Sequence, residues 1–281
     1  MRTLLESFGK TVTIDSEGPF IIIGERINPS GRRRLAESLA QGDMSLVWQE
    51  ALAQVEAGAH IIDVNVSAVD VDEERILPLA VEAVAEAVDV PLSIDTANHE
   101  ALAAALAVCQ GKPLVNSVTG EEASLEAVLP LVKERGCAVI GLCMDEEGIP
   151  KEGQRRLEIA RKIVAAAGAY GIPPEDVIID PLAMTVGADH TAGVVTLKAI
   201  RLICMNLGVN ITLGGSNISF GLPERNLINR SFLAMAISAG LTCAIVDPFD
   251  IEIRKTIAAC DLLMGWDEYA MGFLARSRGG W

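Results

Sequence analysis

The sequence predicts an α/β protein folded as a single (β/α)8 TIM barrel over residues 1–281. Three observations carry that expectation. Short apolar runs rich in Ile, Val and Leu recur along the chain, each followed by a helical stretch. Strand-helix alternation of this kind demands parallel strands joined by crossover helices. Half of the chain is hydrophobic but only 4% is aromatic, so the core must be built from Ala, Val, Ile and Leu, which suit strands buried on both faces. The length of 281 residues fits one such barrel, which commonly takes about 250. An open doubly wound sheet is the alternative, but it usually carries G-x-G-x-x-G at its first turn, and none occurs here.

Taken in order, strands are expected at 20–23, 60–65, 91–95, 113–117, 138–143, 176–180, 210–213 and 242–246. Helices are expected at 46–56, 76–88, 99–109, 125–135, 155–170, 194–205 and 227–238, several of them stopped by a glycine such as Gly58, Gly136 or Gly208. No linker or low-complexity tract divides the chain, so one domain is expected. Residues 1–19 form an N-terminal extension, in which 11–15 is expected to be a short strand capping the barrel bottom.

The net charge of −15 argues against a nucleic-acid partner or an anionic membrane surface. None of the six cysteines forms a C-x-x-C pair, and most lie in apolar runs. They are expected to be reduced, packing thiols of a cytoplasmic protein. Residues 1–18 hold Glu6, Lys10, Asp15 and Glu17 and do not resemble a signal peptide. The longest uncharged run, 231–246, falls short of the roughly 20 residues needed to span a bilayer.

In such barrels the chemistry sits at the C-terminal ends of the strands. Those ends carry Glu25, Arg26 and Asn28; Asp63 and Asn65; Asp95, Thr96 and Asn98; Asn116 and Ser117; Met144 and Asp145; Asp180; Ser216 and Asn217; and Asp247. Any one of them is explained by helix capping or turn formation, for which Asp, Asn, Ser and Thr are favoured. Asp63, Asp95 and Asp180 resist that explanation, because they fall within or immediately at a strand end and would point into the mouth. A buried carboxylate is costly unless something donates to it. Several carboxylates and amides converging on one mouth suit a flat heteroaromatic ligand with many N–H donors. Gly214 and Gly215 offer bare backbone for its close approach. Other motifs fail: Leu4 stands where a phosphate loop before Gly9-Lys10-Thr11 needs glycine, and Ala103 stands where a zinc helix starting at His99-Glu100 needs its second histidine. No metal site is expected.

Together these residues resemble the pterin-binding methyltransferases that work with corrinoids, from about Ile21 onward. The resemblance rests on Gly24-Glu25-Arg26-Ile27-Asn28, Asp63-Val64-Asn65-Val66, Ile94-Asp95-Thr96, Val115-Asn116-Ser117, Ile179-Asp180-Pro181-Leu182, Gly215-Ser216-Asn217-Ile218-Ser219 and Arg225-Asn226-Leu227-Ile228-Asn229-Arg230. It implies methyl transfer between N5 of tetrahydrofolate and the cobalt of a corrinoid. It implies that Asp95, Asn116 and Asp180 bind the pterin ring, with Glu25, Asn28, Asp63, Asn65 and Gly215 lining the same mouth. Asn217 would stand at N5, and Arg225 would position the ring or that asparagine. The family also suggests a homodimer. No D-x-H-x-x-G corrinoid motif is present, since Gly58, Ala97 and Ala188 stand two before the three histidines, so a separate corrinoid protein is the expected partner. Dihydropteroate synthase shares the pterin barrel, but Val66-Ser67-Ala68-Val69 and Val246-Asp247-Pro248 replace the pyrophosphate-handling motifs it implies. A non-catalytic pterin-binding subunit is the other alternative.

Overall fold

The computed structural model describes residues 1–281. It opens with an antiparallel hairpin, β1 (Arg2–Glu6) and β2 (Thr11–Asp15), with Leu5 opposite Val12 and Thr3 opposite Ile14. Seven parallel strands follow: β3 (Ile21–Ile27), β4 (Ile61–Val64), β5 (Leu92–Asp95), β6 (Leu114–Thr119), β7 (Ala138–Leu142), β8 (Val177–Asp180) and β9 (Cys243–Val246). Their order is β8-β7-β6-β5-β4-β3-β9, so the sheet curls until the last strand lies beside the first of the seven.

The expected strand at 210–213 is not a full strand. Residues 210–215 instead make single parallel bridges to both sheet edges, Ile211 to Ile179 and Gly214 to Ile245. Ile179 donates its N–H to the Asn210 carbonyl at 2.9 Å, and Ile245 donates to Leu213 at 2.8 Å. The ladder is broken by a side chain: the Thr242 hydroxyl accepts the Ile211 N–H at 3.0 Å and donates to the Ile211 carbonyl at 3.0 Å. The hydroxyl thus takes the Ile211 N–H out of the ladder, while the Ile211 carbonyl still accepts the Thr242 and Cys243 N–H groups at 3.1 and 3.2 Å.

Ten helices connect and cover the strands: α1 (Arg33–Ala40), α2 (Ser45–Glu56), α3 (Glu73–Ala87), α4 (His99–Val108), α5 (Glu122–Arg135), α6 (Gly153–Ala169), α7 (Ala192–Leu207), α8 (Arg225–Ala239), α9 (Ile251–Leu263) and α10 (Met271–Gly279). The seven expected helices are all present; α1, α9 and α10 were not expected. None is long and apolar enough to cross a membrane.

Strand periodicity sorts the apolar residues into two bodies. Phe20, Ile22, Ile62, Val64, Leu92, Ile94, Val115 and Val139 face the helices and join the large core. Ile21, Ile23, Ile61, Leu114, Ala138, Ile140, Ile178 and Cys243 face inward and form a second cluster with Leu5, Val12 and Ile14 of the hairpin. Fully burying one such side chain contributes about 1.5–3 kcal/mol. The hairpin is also tied polarly: Asn210 Nδ2 donates to Thr3 Oγ1 and to the Ile14 carbonyl, each at 2.9 Å. All six cysteines are unpaired, and burial pushes the Cys109 thiol up to about 11 and Cys137 and Cys243 up to about 12.

Candidate functional site

The inward stripe changes chemistry at its last position. Two residues beyond Ile61, Ser93, Leu114 and Ile178 stand Asp63, Asp95, Asn116 and Asp180, on the same strand faces. Parallel register sets Asp63 beside Ser93 and Asp95 beside Asn116. Ser93 donates to Asp63 Oδ1 at 2.6 Å, and Asn116 Nδ2 donates to the same oxygen at 3.2 Å. Asn65 Nδ2 donates to Asp95 Oδ2 at 2.9 Å. Burial and then the Asp95 charge push Asp63 well above the usual carboxylate range. Burial raises Asp95 too, but hydrogen bonds from Asn65 and Asp63 oppose the rise. Both carboxyls are therefore raised, Asp63 more strongly, because burial and mutual repulsion disfavour two charges side by side.

Asp180 is only 7% exposed, and one of its oxygens accepts the Leu182 N–H at 2.6 Å. Burial pushes it up to about 7, against the Leu182 N–H and the charge of Arg156. A buried carboxylate titrating near neutrality, with acceptor capacity left over, favours a ligand that donates N–H groups.

The rim is built differently. β3 carries a bulge: Gly24 pairs with Ile62 and Ile27 with Val64, so Glu25 and Arg26 lie inside a strand rather than beyond its end. The bulge re-aims both side chains. The Arg26 N–H donates to Gln54 Oε1 at 2.9 Å, and that same oxygen would sit 2.5 Å from a Cβ at Gly24. Only glycine fits there without displacing Gln54. Arg26 reaches Asp247 at 3.1 Å and Glu50 at 3.7 Å, and its guanidinium lies 5.5 Å from the centre of the Phe249 ring. Arg32 also bonds Glu50 and the Arg26 carbonyl. Glu25 takes no part in this network. Burial and then the Asp247 charge push it up to about 7, with Arg26 and Arg225 opposing.

Across the rim, Asn217 begins a 3-10 turn (Asn217–Ser219). Arg225, at the start of α8, clamps that turn: Nε donates to Ser219 Oγ at 3.0 Å and Nη2 to the Ser216 carbonyl at 2.9 Å. It also lies 6.0 Å from the Phe220 ring centre. The Asn217 side chain itself is exposed. The two glycines expected to give a ligand bare backbone also permit close packing: a Cβ at Gly214 would meet Asn217 Nδ2 at 2.8 Å, and one at Gly215 would meet Val246 Cγ1 at 2.7 Å.

The expected residues thus fall into two groups. Asp63, Asn65, Asp95 and Asn116 form one hydrogen-bonded wall, with Asp180 on the same inner face. Glu25, Gly215 and Arg225 line a cleft of about 580 Å³ beside it, together with Ser216, Asn229 and Asp247. Capping explains others: Asn98 accepts from the Glu100 and Ala101 N–H groups at 3.0 Å, and Asn28 accepts from Ser30 at 2.9 Å. Asp145 pairs with Arg155 at 2.8 Å. Sequence reasoning missed Gln54, Glu50, Ser93 and Arg156. Ser93 was findable, since it precedes Asp95 by one strand period and must share its face. No group of three or more His, Cys, Asp or Glu is arranged to hold a metal ion.

Known proteins resemble this chain over most of its length. The pterin binding enzyme family matches residues 24–247, and the chain belongs to that family. It is 32% identical over 252 residues to the methylcorrinoid:tetrahydrofolate methyltransferase of Eubacterium limosum, covering 88% of this chain and 92% of that protein. It is 31% identical to methionine synthase of Mycobacterium tuberculosis over 86% of this chain, which spans only 21% of that longer protein. Among solved structures, Xanthomonas albilineans dihydropteroate synthase overlays with a TM-score of 0.71 at 20% identity, covering 96% of this chain and all of that one. That likeness shows a TIM-barrel-type fold and nothing of the chemistry.

Proposed function

We propose that this protein is a methyltransferase that moves a methyl group between a corrinoid, carried by a separate protein, and N5 of tetrahydrofolate. The observation that supports it best is the acid-and-amide layer at the end of the inward stripe, set beside the Asn217 turn clamped by Arg225. A pterin presents amino and ring N–H donors along one edge. Asp95, Asn116 and Asp180 supply acceptors and a donor for that edge. Asp63 and Asn65 hold them from behind, and Asn28 closes the near side.

In the direction named for the Eubacterium relative, the N5 lone pair attacks the methyl carbon. The cobalt–carbon bond breaks with its electron pair remaining on cobalt. N5 becomes cationic and then gives up its proton. The Asn217 amide is the neutral group suited to follow that charge: its oxygen accepts from N5–H, and the flipped amide donates to N5 in the reverse direction. It supplies no proton. Glu25, titrating near 7, is the rim group suited to hold one. Arg225 acts by fixing the turn beneath Asn217.

The eighth stave of the barrel is residues 210–215, which puts Gly215 to Asn217 at a strand end like the other site residues. On this reading the chain is a single domain with the hairpin closing its floor. The homodimer is checked by light scattering. For the function itself, purified protein is mixed with methylcobalamin and tetrahydrofolate, and separately with cob(I)alamin and methyltetrahydrofolate. Transfer in either direction is expected. Stoichiometric folate binding with no transfer, even with a corrinoid protein added, would sink the enzyme reading and leave a binding subunit. Corrinoid retained by the purified chain alone would remove the need for a carrier protein.

A further inference from the structure

Arg156, on α6, is a buried cation with no acidic partner in contact. It is 1% exposed. Its hydrogen bonds all go to neutral groups: Nε to the Pro150 carbonyl at 2.9 Å, and Nη1 to the Leu182 carbonyl at 2.6 Å and the Thr196 hydroxyl at 3.1 Å. Neutral acceptors alone leave a net charge in a medium that solvates it poorly, and such a charge persists only where an opposite one balances it.

The opposite charge is one peptide unit away. Leu182 donates its N–H to Asp180 at 2.6 Å while its carbonyl accepts from Arg156 at 2.6 Å. Leu182 has φ of 64°, a left-handed conformation that a leucine rarely adopts. Its carbonyl is held twice, since the Thr196 hydroxyl, fully buried, also donates to it at 3.2 Å. The loop is therefore gripped from α6 and α7 at the residue that orients Asp180.

We propose that Arg156 is a positioning residue for the ligand-recognising carboxylate: it locks the Leu182 turn that aims Asp180 and sets a positive charge one residue away from it. This rests on Asp180 being a pterin contact. The electrostatics run the same way. Asp180 sits near 7 because burial outweighs Leu182 and Arg156, so taking Arg156 away moves it higher. Burial lowers Arg156, and Cys143 and Asp180 hold it up. The other titratable groups facing Asp180 are Cys143 beyond β7 and Cys243 on β9. Burial raises both thiols, so they are neutral at pH 7 and offer no countercharge.

The test is tetrahydrofolate affinity by calorimetry across pH, for wild type, Arg156→Met, Arg156→Lys, Thr196→Val and Asp180→Asn. Wild-type binding weakens as pH falls below about 7. In Arg156→Met the midpoint moves up by about one pH unit, which lowers the ionised fraction, and with it affinity at pH 7, about fivefold. Arg156→Lys keeps the charge and hence the midpoint, but a single ammonium cannot reproduce the planar fork, so affinity falls a few-fold. Thr196→Val loosens the Leu182 carbonyl and weakens binding with the midpoint unchanged. A wild-type midpoint in Arg156→Met, or the same shift in Thr196→Val, overturns the proposal. If Arg156→Met does not fold, Arg156→Lys decides: weaker binding at an unchanged midpoint supports it, and wild-type affinity at every pH overturns it. Asp180→Asn separates the two levels. Undiminished binding there refutes Asp180 as the ligand contact, whereas lost binding with a wild-type midpoint in Arg156→Met refutes only the role of Arg156.

Discussion

Ile61 and Asp63 stand two residues apart on one strand, face the same interior and are 0% and 3% exposed. Ile61 packs against the inward side chains at the closed end of the sheet. Asp63 sits in a hydrogen-bonded wall at the open end. Strand geometry treats them alike, since period two buries both. What differs is the partner set: one end is sealed by Leu5, Val12 and Ile14, and the other is left to Ser93, Asn116 and whatever enters the mouth. Burial at the closed end stabilises the fold, whereas burial at the open end costs stability and tunes acidity.

Substitutions at the two ends should therefore fail in different ways. Asp180→Ala should have the largest effect on binding, because truncating a buried hydrogen-bonded charge costs about 2–5 kcal/mol. Calorimetry should then register tetrahydrofolate binding at least roughly 30-fold weaker, since about 1.4 kcal/mol is tenfold. Ile61→Ala should cost a similar amount, about 2–5 kcal/mol, but in unfolding free energy, with folate affinity within about twofold of wild type. If Ile61→Ala weakens binding as much as it lowers stability, the two ends are not separable and the comparison breaks. Next comes the rim. Asn217→Ala should slow methyl transfer by about a hundredfold with near-normal binding, as expected for a group that acts on developing charge. Arg225→Met removes the clamp but not Asn217, and a roughly tenfold fall in kcat at unchanged affinity is expected.

The smallest effect is on stability with pH. In the folded protein Asp180 and Glu25 are raised from 3.8 and 4.5 to about 7. Between those limits the folded state holds protons that the unfolded chain has released, so stability falls as pH rises from about 4 to about 7 and levels off above. Thermal melts should show Tm lower by roughly several degrees at pH 7.5 than at pH 4.5 from these groups. Asp180→Asn should flatten that slope and melt above wild type at pH 7.5. A steeper slope in Asp180→Asn would contradict the burial of that carboxylate.

Much of this was legible in the chain. Strand positions follow from apolar period and β-branched content, and the candidate acids follow from standing at strand ends. Residues 210–215 form bridges rather than a full strand, and there the Thr242 hydroxyl, about thirty residues away in sequence, takes the Ile211 N–H out of the ladder. The β3 bulge was equally hidden: 24–27 gives no local sign that three steps will pair with two. α1 is only eight residues, begins with two arginines and has no side-chain cap, so its pattern is too short to stand out. β1 alternates as a strand should, but over just five residues. In the site, Asn98 looked like Asp95 and Asn116 until hydrogen bonds assigned it to a helix cap. Gln54 and Arg156 lie on helices 28 and 26 residues from Arg26 and Leu182, the groups they hold, and nothing at either position announces the partner.

The hairpin that seals the closed end also decides where the chain's ends lie. Met1 caps Ser16 beside that hairpin, and Arg276 of α10 approaches His60 at the base of β4 and shares a small cavity with Pro19. Both termini therefore hang from the floor. Anchored to a bead, an electrode or a biosensor chip by either end, the molecule presents its open face to solution, and even a large binding partner can reach it without meeting the tether.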